Sequence, residues 1–318
     1  MPIISFAVQA ELSTAAQWID LATTAEAAGF EALSIADHPG STPAPFVALA
    51  AAAQATTRLL LAPAVVNAGA WDPLALATEI ATLDVVSDCQ AMLGIGAGHT
   101  PAEWTQLGRA YPSAIQRIEN LEAVVTAVRR LLAGEVVTSN GPTWRLKEAM
   151  LGWQPSGARN VPILIGGNAR LLIEVAVRQA DVLELTGLGR TLPDGHAHGA
   201  QWSARHVDAR VRLAATSGGR RIRLGALVQT VETSGDRRSA AGRYRSRLAT
   251  VLDEPLLPSV EDLLDTPFVL FGTETEIVSQ LVRNLQRWGI SRHTIRAADL
   301  TPIVGVIDRL RNPATPVP

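Results

Sequence analysis

Short apolar runs and longer amphipathic segments alternate along the chain. The short runs, at residues 33–36, 59–66 and 91–95, are apolar except for Ser34, which is typical of parallel strands that are covered on both faces. Residues 115–132 show the longer kind of segment, in which apolar positions recur with helical spacing. The pattern therefore predicts an α/β fold with a parallel sheet.

The whole chain reads as a succession of strand–helix units. Strands are predicted at residues 3–9, 33–36, 59–66, 91–95, 161–165, 182–185, 223–231 and 294–296. One helix is predicted between a Ser13 or Thr14 cap and Gly29, and others at residues 46–55, 73–86, 115–132, 170–180, 202–216, 236–252, 275–288 and 302–310. A hairpin is predicted at residues 136–146, where Asn140-Gly141 is a strong turn signal.

The number and order of these units predict a (β/α)8 TIM barrel. Such a barrel needs roughly 250 residues, and the 318-residue chain leaves a surplus for insertions at the C-terminal strand ends. The expected insertions are residues 97–114, 134–158, 187–200 and 253–272. We expect one TIM-barrel domain over residues 1–312 and a disordered tail at 313–318.

Composition narrows the class of protein. No apolar run approaches the ~20 residues that cross a bilayer, and the N-terminus lacks the basic start of a secretory signal. Cys89 is the single cysteine, so no disulfide can form within the chain. A net charge of −2 favours neither nucleic acid nor an anionic membrane as partner. We expect a cytoplasmic protein, and the near-absence of lysine beside many arginines and alanines suggests an actinobacterial source.

Candidate chemistry lies first at Asp37 and His38, which follow the predicted strand 33–36 and precede a Pro-Gly loop. In a parallel barrel the loops after the strands converge on one face, and active sites lie there. Because adjacent strand residues point to opposite faces, we expect one of the two side chains to face the barrel mouth. The residues alone leave open whether His38 is catalytic or a hydrogen-bonded structural histidine.

Two glycine-rich segments follow other predicted strands. Residues 94–98 read Gly-Ile-Gly-Ala-Gly, but they fail the dinucleotide fingerprint, because its sixth position is His99 and no helix is expected directly after it, where Pro101 intervenes. We interpret this segment as a strand end that lets a flat ligand or a phosphate approach the backbone. Residues 166–168, Gly-Gly-Asn, precede the helix near Arg170 and form either an anion site or a tight turn.

Two further patterns carry weaker signals. His196 and His198 resemble a metal-ligand pair, but no acidic or third histidine partner stands at a suitable spacing, so no metal is expected. The arginine-rich helix at 236–252 is interpreted as a solvated face, with a site for an acidic ligand tail as the alternative.

The order and spacing of four stretches resemble a known family. They are residues 28–38 (AGFEALSIADH), 58–67 (RLLLAPAVVN), 93–98 (LGIGAG) and 162–167 (PILIGG). The chain resembles the bacterial luciferase-like flavin oxidoreductases, and within them the branch that uses the deazaflavin coenzyme F420. The resemblance covers nearly the whole chain.

The resemblance implies a homodimeric barrel with a flavin-type ring in its mouth. It implies that His38 lies close to the reactive ring and that Ala64-Val65 carries a non-proline cis peptide. The expected catalytic residues are His38, Asp37 and His99. The expected cofactor-binding residues are Ala64, Val65, Asn67, Ala97, Gly98, Gly166, Gly167, Asn168 and Glu184. Sugar-phosphate dehydrogenases of this branch have glutamate where this chain has His99, which argues against that activity and leaves the proton-transfer role of His99 open.

Three functions remain in view. The leading hypothesis is an oxidoreductase that transfers a hydride between bound coenzyme F420 and a small organic substrate. The alternative is an FMN-dependent monooxygenase that uses O2 and reduced flavin from a separate reductase. A third possibility is a non-catalytic cofactor-binding protein, although His38 and both glycine loops are intact.

Overall fold

The computed structural model describes residues 4–153, 161–192, 198–218 and 222–312. In chain order the strands within these residues are β1 (Ser5–Ala10), β2 (Ala32–Ile35), β3 (Leu60–Pro63), β4 (Val66–Asn67), β5 (Leu93–Gly96), β6 (Val137–Asn140), β7 (Arg145–Ala149), β8 (Ile163–Gly166), β9 (Val182–Leu185), β10 (Leu188–Thr191), β11 (His198–Ala200), β12 (Arg223–Leu227), β13 (Thr230–Thr233), β14 (Val269–Gly272) and β15 (Ile290–Arg296).

The helices of the described residues follow the same alternation. They are α1 (Ala15–Ala28), α2 (Pro45–Ala53), α3 (Pro73–Val86), α4 (Pro101–Gln106), α5 (Ala114–Leu132), α6 (Arg170–Gln179), α7 (Ala204–Thr216), α8 (Arg237–Leu248), α9 (Val260–Leu264), α10 (Glu274–Trp288) and α11 (Leu300–Arg311), with short 3-10 turns at Glu254–Leu256 and Ala297–Asp299. None of these helices is long and apolar enough to cross a membrane.

The strands close into a barrel, and the predicted (β/α)8 fold is confirmed. The main sheet has nine strands in the order β3-β2-β1-β15-β12-β9-β8-β5-β4, and every pairing in it is parallel. β3 and β4 are two parts of one barrel strand, and a parallel bridge from Leu61 to Ala91 completes the ring beside β5. All the carboxyl ends of these strands therefore meet at one face.

Helix ends lie where the sequence chemistry places them. Gly29 ends α1 in the left-handed conformation, which glycine adopts without steric cost. Thr273 and Glu276 form a capping box at the start of α10. Pro101 opens α4 as its first residue, so the expectation that this proline prevents a helix is wrong. Proline is favoured at that position because the missing N–H has no intrahelical partner there.

Two strand predictions were wrong in instructive ways. The expected strand 223–231 is two strands: β12 belongs to the barrel, whereas β13 pairs with β14 outside it. β15 begins at Ile290, four residues before the predicted start. The prediction missed these residues because Ser291, Arg292 and His293 are polar, although they are buried. β14 also lies within the segment 253–272 that was expected to be only an insertion.

Two of the other expected insertions, 134–158 and 187–200, carry small antiparallel pairs. The predicted hairpin at 136–146 is confirmed as β6 and β7, although four residues, 141–144, connect its strands. β10 and β11 pair within the insertion 187–200. Arginines of the basic helix α8 form ion pairs with Glu261, Glu232 and Glu254. The tail 313–318 lies outside the described residues, so its disorder and the single-domain boundary at 312 stay predictions.

Candidate active site

A cavity of about 1660 Å3 opens at the carboxyl ends of the barrel strands. The structure brings every sequence-predicted site residue to its wall. These residues are Asp37, His38, Ala64, Val65, Asn67, Ala97, Gly98, His99, Gly166, Gly167, Asn168 and Glu184. Their convergence follows from the parallel sheet, because each stands at or just after a barrel strand end.

His38 is held by a carboxylate that the sequence analysis missed. Its Nδ1 lies 2.7 Å from Glu103 Oε1, and Asn67 Nδ2 donates to Glu103 Oε2 at 2.9 Å. The Glu103 side chain is 6% exposed, whereas that of His38 is 43% exposed. The pair therefore fixes the imidazole from behind and leaves Nε2 without a partner among the described residues.

His38 and His99 have opposite electrostatic environments. The hydrogen bond to Glu103 raises the pKa of His38. Burial, together with a smaller effect of the nearby His198, lowers the pKa of His99 to about 4. Burial alone would raise the pKa of Glu103, but the hydrogen bonds from His38 and Asn67 outweigh it and leave the pKa lowered. Neighbouring groups whose pKa values are pushed apart are a frequent sign of acid–base chemistry.

The pH dependence of this wall is a direct test. Because folding raises the pKa of His38, its stabilisation is fully present below its unfolded pKa of about 6.5 and is lost as pH rises through the folded pKa. The lowered pKa of Glu103 gives stabilisation above its unfolded pKa of about 4.3 that is lost as pH falls through the folded pKa. In an NMR titration, the imidazole of His38 should titrate above about 6.5 and that of His99 at about 4.

Glu103→Gln supplies the matched variant for that titration. It keeps the size of the side chain and removes the charge, so the pKa of His38 should fall. A wild-type His38 pKa at or below about 6.5, or one that does not change in Glu103→Gln, would contradict the ion pair.

Asp37 also borders the cavity, so the expectation that only one of the adjacent pair faces the mouth is wrong. β2 ends at Ile35, and the alternation of side chains does not extend beyond the strand. Asp37 is buried and its Oδ2 accepts a hydrogen bond from Trp71 Nε1 at 2.8 Å. Burial raises the pKa of Asp37, against the lowering effect of Trp71.

His99 lies between two other imidazoles. Its ring centroid is 6.3 Å from that of His38 and 4.5 Å from that of His198, and its Nδ1 is 3.0 Å from Thr100 Oγ1. His196, the other member of the sequence pair, lies outside the described residues. Among the described residues no group of three or more histidine, cysteine or acidic side chains is arranged to hold a metal ion.

The non-proline cis peptide predicted at Ala64-Val65 is confirmed. The Val65 side chain packs against the ends of β5 and β8. A Cβ atom on Gly96 would lie only 2.8 Å from Val65 Cγ2, and one on Gly166 would lie 3.3 Å from Val65 Cγ1. These two glycines therefore let the valine lie close against the backbone of β5 and β8. Gln9 Nε2 donates to the Ala64 carbonyl at 2.5 Å and fixes the other side of the cis bond.

Gly98 connects the glycine-rich strand end to the His38 pair. Its φ is +73°, and the position that a Cβ atom would take is 2.0 Å from Asn67 Oδ1. That oxygen accepts from the Gly69 amide at 2.9 Å, which leaves Asn67 Nδ2 directed at Glu103. Gly98 is therefore required for the placement of Asn67.

The 166–168 loop provides a helix start at the cavity wall, but Gly167 itself is not a free donor. Its amide donates to the Glu184 carbonyl at 3.0 Å. Asn168 Oδ1 accepts from the Thr186 amide at 3.1 Å and thus ties the loop to the segment after β9. Ala169 precedes α6 and cannot cap it, so the amides of the first turn of α6 are the groups here that can meet an anion.

Glu184 lies on the floor of the cavity and already has partners. It is buried, and its Oε2 accepts from Arg292 Nη1 at 2.7 Å and from the Thr294 hydroxyl. The structure therefore gives this carboxylate a place in the barrel interior, where it balances the charge of Arg292. Its expected contact with a cofactor stays a prediction.

A model of the luciferase-like monooxygenases matches residues 3–292. The chain belongs to the luciferase-like monooxygenase family. This member is 30% identical over 171 residues to an F420-dependent glucose-6-phosphate dehydrogenase of Microbacterium testaceum, a match that covers 51% of this chain and 50% of that protein. It is 28% identical over 157 residues to a 5,10-methylenetetrahydromethanopterin reductase of Archaeoglobus fulgidus, over 49% of this chain and 45% of the reductase. The chain thus spans about half the length of these curated relatives.

Solved structures of other proteins share the fold. An F420-dependent secondary alcohol dehydrogenase superimposes with a TM-score of 0.72 at 16% identity, over 98% of this chain and 100% of that one. The coenzyme F420 dependent tetrahydromethanopterin reductase from Methanopyrus kandleri gives 0.73 at 18% identity, over 98% of each chain. The monooxygenase RslO1 from Streptomyces bottropensis gives 0.71 at 20% identity, over 95% of this chain and 98% of that one.

Glu103 is the principal residue of this luciferase-like site that sequence reasoning did not find. It lies in α4, inside a segment that was expected to be only an insertion. Thr100-Pro101 was the available signal, because a polar residue followed by proline favours a helix start. Placing α4 there would have brought Glu103 near the strand end, although the contact with His38 depends on residues 65 positions apart.

Proposed function

We propose that this family member is an oxidoreductase that transfers a hydride between bound deazaflavin coenzyme F420 and a small organic substrate. The observation that carries the proposal is the His38–Glu103 pair on the same cavity wall as Val65 and the glycine-rich strand ends. Relatives named F420-dependent, with sugar-phosphate and alcohol substrates in their names, support the choice of cofactor.

The cavity fits a flat ring with an anionic tail. Its volume of about 1660 Å3 exceeds the roughly 300–1,000 Å3 that is usual for small-ligand pockets, which leaves space for a cofactor and a substrate together. Gly96, Ala97 and Gly98 lie on the cavity wall, so their backbone borders the space that a ring would occupy. The uncapped first turn of α6 would hold a phosphate, and Arg117 on the cavity wall adds a positive charge.

The chain's own contribution is proton transfer and positioning. When bound, the deazaflavin would supply the ring carbon that gives or takes the hydride. Reduction of a substrate carbonyl also requires a proton at its oxygen, and His38 in its protonated form can donate it from Nε2. In the opposite direction neutral His38 accepts the proton of the substrate hydroxyl. Glu103 stays ionised throughout and stabilises the imidazolium.

A luciferase-like monooxygenase that uses FMN is the second candidate function. It is favoured by monooxygenases among the structural neighbours, and it would need a separate reductase. A homodimer is part of the proposal in both cases, because the family resemblance implies one. The identity of the flavin separates the two candidates.

Anaerobic titration of the purified protein with each cofactor tests the proposal. We expect the deazaflavin to bind at least about tenfold more tightly than FMN, a difference of about 1.4 kcal/mol. Absorbance spectroscopy measures both dissociation constants under the same conditions. Equal or reversed affinities would favour the FMN-dependent monooxygenase, and binding of neither flavin would refute both functions.

A further inference from the structure

The charges around the cavity are not balanced. Each acidic side chain on its wall has a donor: Asp37 has Trp71, Glu103 has His38, and Glu184 has Arg292. The arginine side chains that the structure describes on the same wall, in contrast, are not paired with carboxylates. In the described part of the chain, Arg117, Arg210 and Arg296 form no ion pair with a carboxylate. Arg117 donates to the Pro112 carbonyl, and the other two donate to glutamine side-chain oxygens.

Arg296 is the most firmly positioned of these arginines. It is the last residue of β15, in register with Gln9 of β1. Its Nη1 donates to Gln9 Oε1, and its Nη2 lies 3.2 Å from Gln229 Oε1. Gln9 in turn donates to the Ala64 carbonyl at the cis peptide. The guanidinium is thus held on the floor of the cavity by two neutral amides.

Among the described residues, no carboxylate pairs directly with Arg296. Burial lowers its pKa, against the raising effect of Glu184, Tyr244, Glu11 and Asp299. None of these groups forms an ion pair with Arg296, and the one with the largest effect, Glu184, is already bonded to Arg292 and Thr294. A half-buried cation without a paired anion is unfavourable, and an anionic ligand removes that cost.

We propose that Arg296 is the anchor of a subsite on the cavity floor that binds a carboxylate-type anion. The inference rests on the proposed function for the identity of the reaction, and it adds the class of ligand. The guanidinium presents a planar fork of donors that matches the two oxygens of a carboxylate. Gln9 and Gln229 fix the orientation of this fork, so the subsite is pre-organised for a planar anion.

Benzoate and benzamide are suitable probes because they share shape and differ in charge. Isothermal titration of the cofactor-free protein should give a dissociation constant for benzoate that is at least about tenfold lower than for benzamide. Arg296→Gln should raise the benzoate value by about tenfold or more and leave the benzamide value within about twofold. Arg296→Lys keeps a point charge without the fork and should fall between the two.

The matched control is Arg238→Gln. Arg238 lies on the outer helix α8, is 67% exposed and pairs with Glu261, so its loss removes the same charge far from the cavity floor and should change neither affinity. Thermal melting confirms that each variant is folded. If Arg296→Gln does not fold, the wild-type preference for benzoate and the Arg296→Lys value still test the proposal.

Repeating the titration with saturating deazaflavin identifies the source of the anion. Benzoate that still binds assigns the subsite to the substrate. Displacement of benzoate, with weaker deazaflavin binding in Arg296→Gln, assigns it to an anionic group of the cofactor. A preference for benzoate in a protein that binds no deazaflavin would refute the proposed function and keep the subsite. Equal affinities for the two probes, or a preference abolished by Arg210→Gln and not by Arg296→Gln, would overturn it.

Discussion

Replacing His38 with glutamine is expected to reduce turnover by roughly 10²–10⁴-fold, the usual contribution of a positioned general acid or base. The glutamine amide can still donate to the buried Glu103 carboxylate, so the fold should lose little stability. His38→Ala would instead leave Glu103 Oε1 without its donor, which would cost roughly 1–3 kcal/mol. Single-turnover rates with the deazaflavin-loaded protein, together with urea unfolding, measure both quantities.

A double-mutant cycle with Glu103→Gln shows whether the pair acts as a unit. If Glu103 works only through the imidazole, the double variant should be about as slow as His38→Gln alone, because effects within one catalytic unit are not additive. Glu103→Gln alone should also move the pH–rate profile to lower pH, since it lowers the pKa of His38. A large loss of stability with an unchanged rate in the folded fraction would show that His38 is structural, and would leave His99 as the next candidate.

Gly98→Ala is expected to impair both stability and turnover, and Gly108→Ala only stability. Both glycines have positive φ, +73° and +66°, so each alanine should cost about 1–2 kcal/mol in backbone conformation. At Gly98 the new Cβ would also lie 2.0 Å from Asn67 Oδ1, whereas nothing lies within 4 Å at Gly108. The clash displaces Asn67 from Glu103, which should add to the stability loss and slow turnover by about tenfold or more.

The informative quantities are the differences in stability and in turnover between Gly98→Ala and Gly108→Ala. Urea unfolding gives the stability of each, and the pKa of His38 from NMR reports the state of the Glu103 pair. If Gly98→Ala and Gly108→Ala lose the same stability and turn over at the same rate, Asn67 is not needed for the site. The comparison therefore isolates the side-chain network from backbone strain.

The sequence was most informative where local pattern and chain direction coincide. Parallel strands run in one direction, so residues that follow buried apolar runs, such as His38, Asn67 and Gly98, meet at one face of the barrel. Val182–Leu185 has the predicted bounds because its ends adjoin clear breaks in the apolar pattern. The cis peptide at Ala64-Val65 came from the family resemblance and not from the residues themselves.

The missed features depend on contacts between distant parts of the chain. Glu103 is a site residue only because α4 places it beside His38. From the sequence alone, Arg296 is only a polar residue at a strand end, because Gln9 and Gln229, which hold its guanidinium, are distant in sequence. The predicted strand at 294–296 was shorter than β15 because the buried residues Arg292 and His293 break the apolar pattern that signals a strand. In each case the compensating partner lies far away in sequence, so no local spacing reports it.

A crystal structure of the protein with oxidised deazaflavin tests the central claim most directly. We expect the ring in the cavity at the barrel mouth, in contact with Val65 and with His38 at hydrogen-bonding or van der Waals distance. The cofactor phosphate should lie at the first turn of α6. A ring bound away from His38 and Val65, or crystals that take up FMN and exclude the deazaflavin, would contradict it.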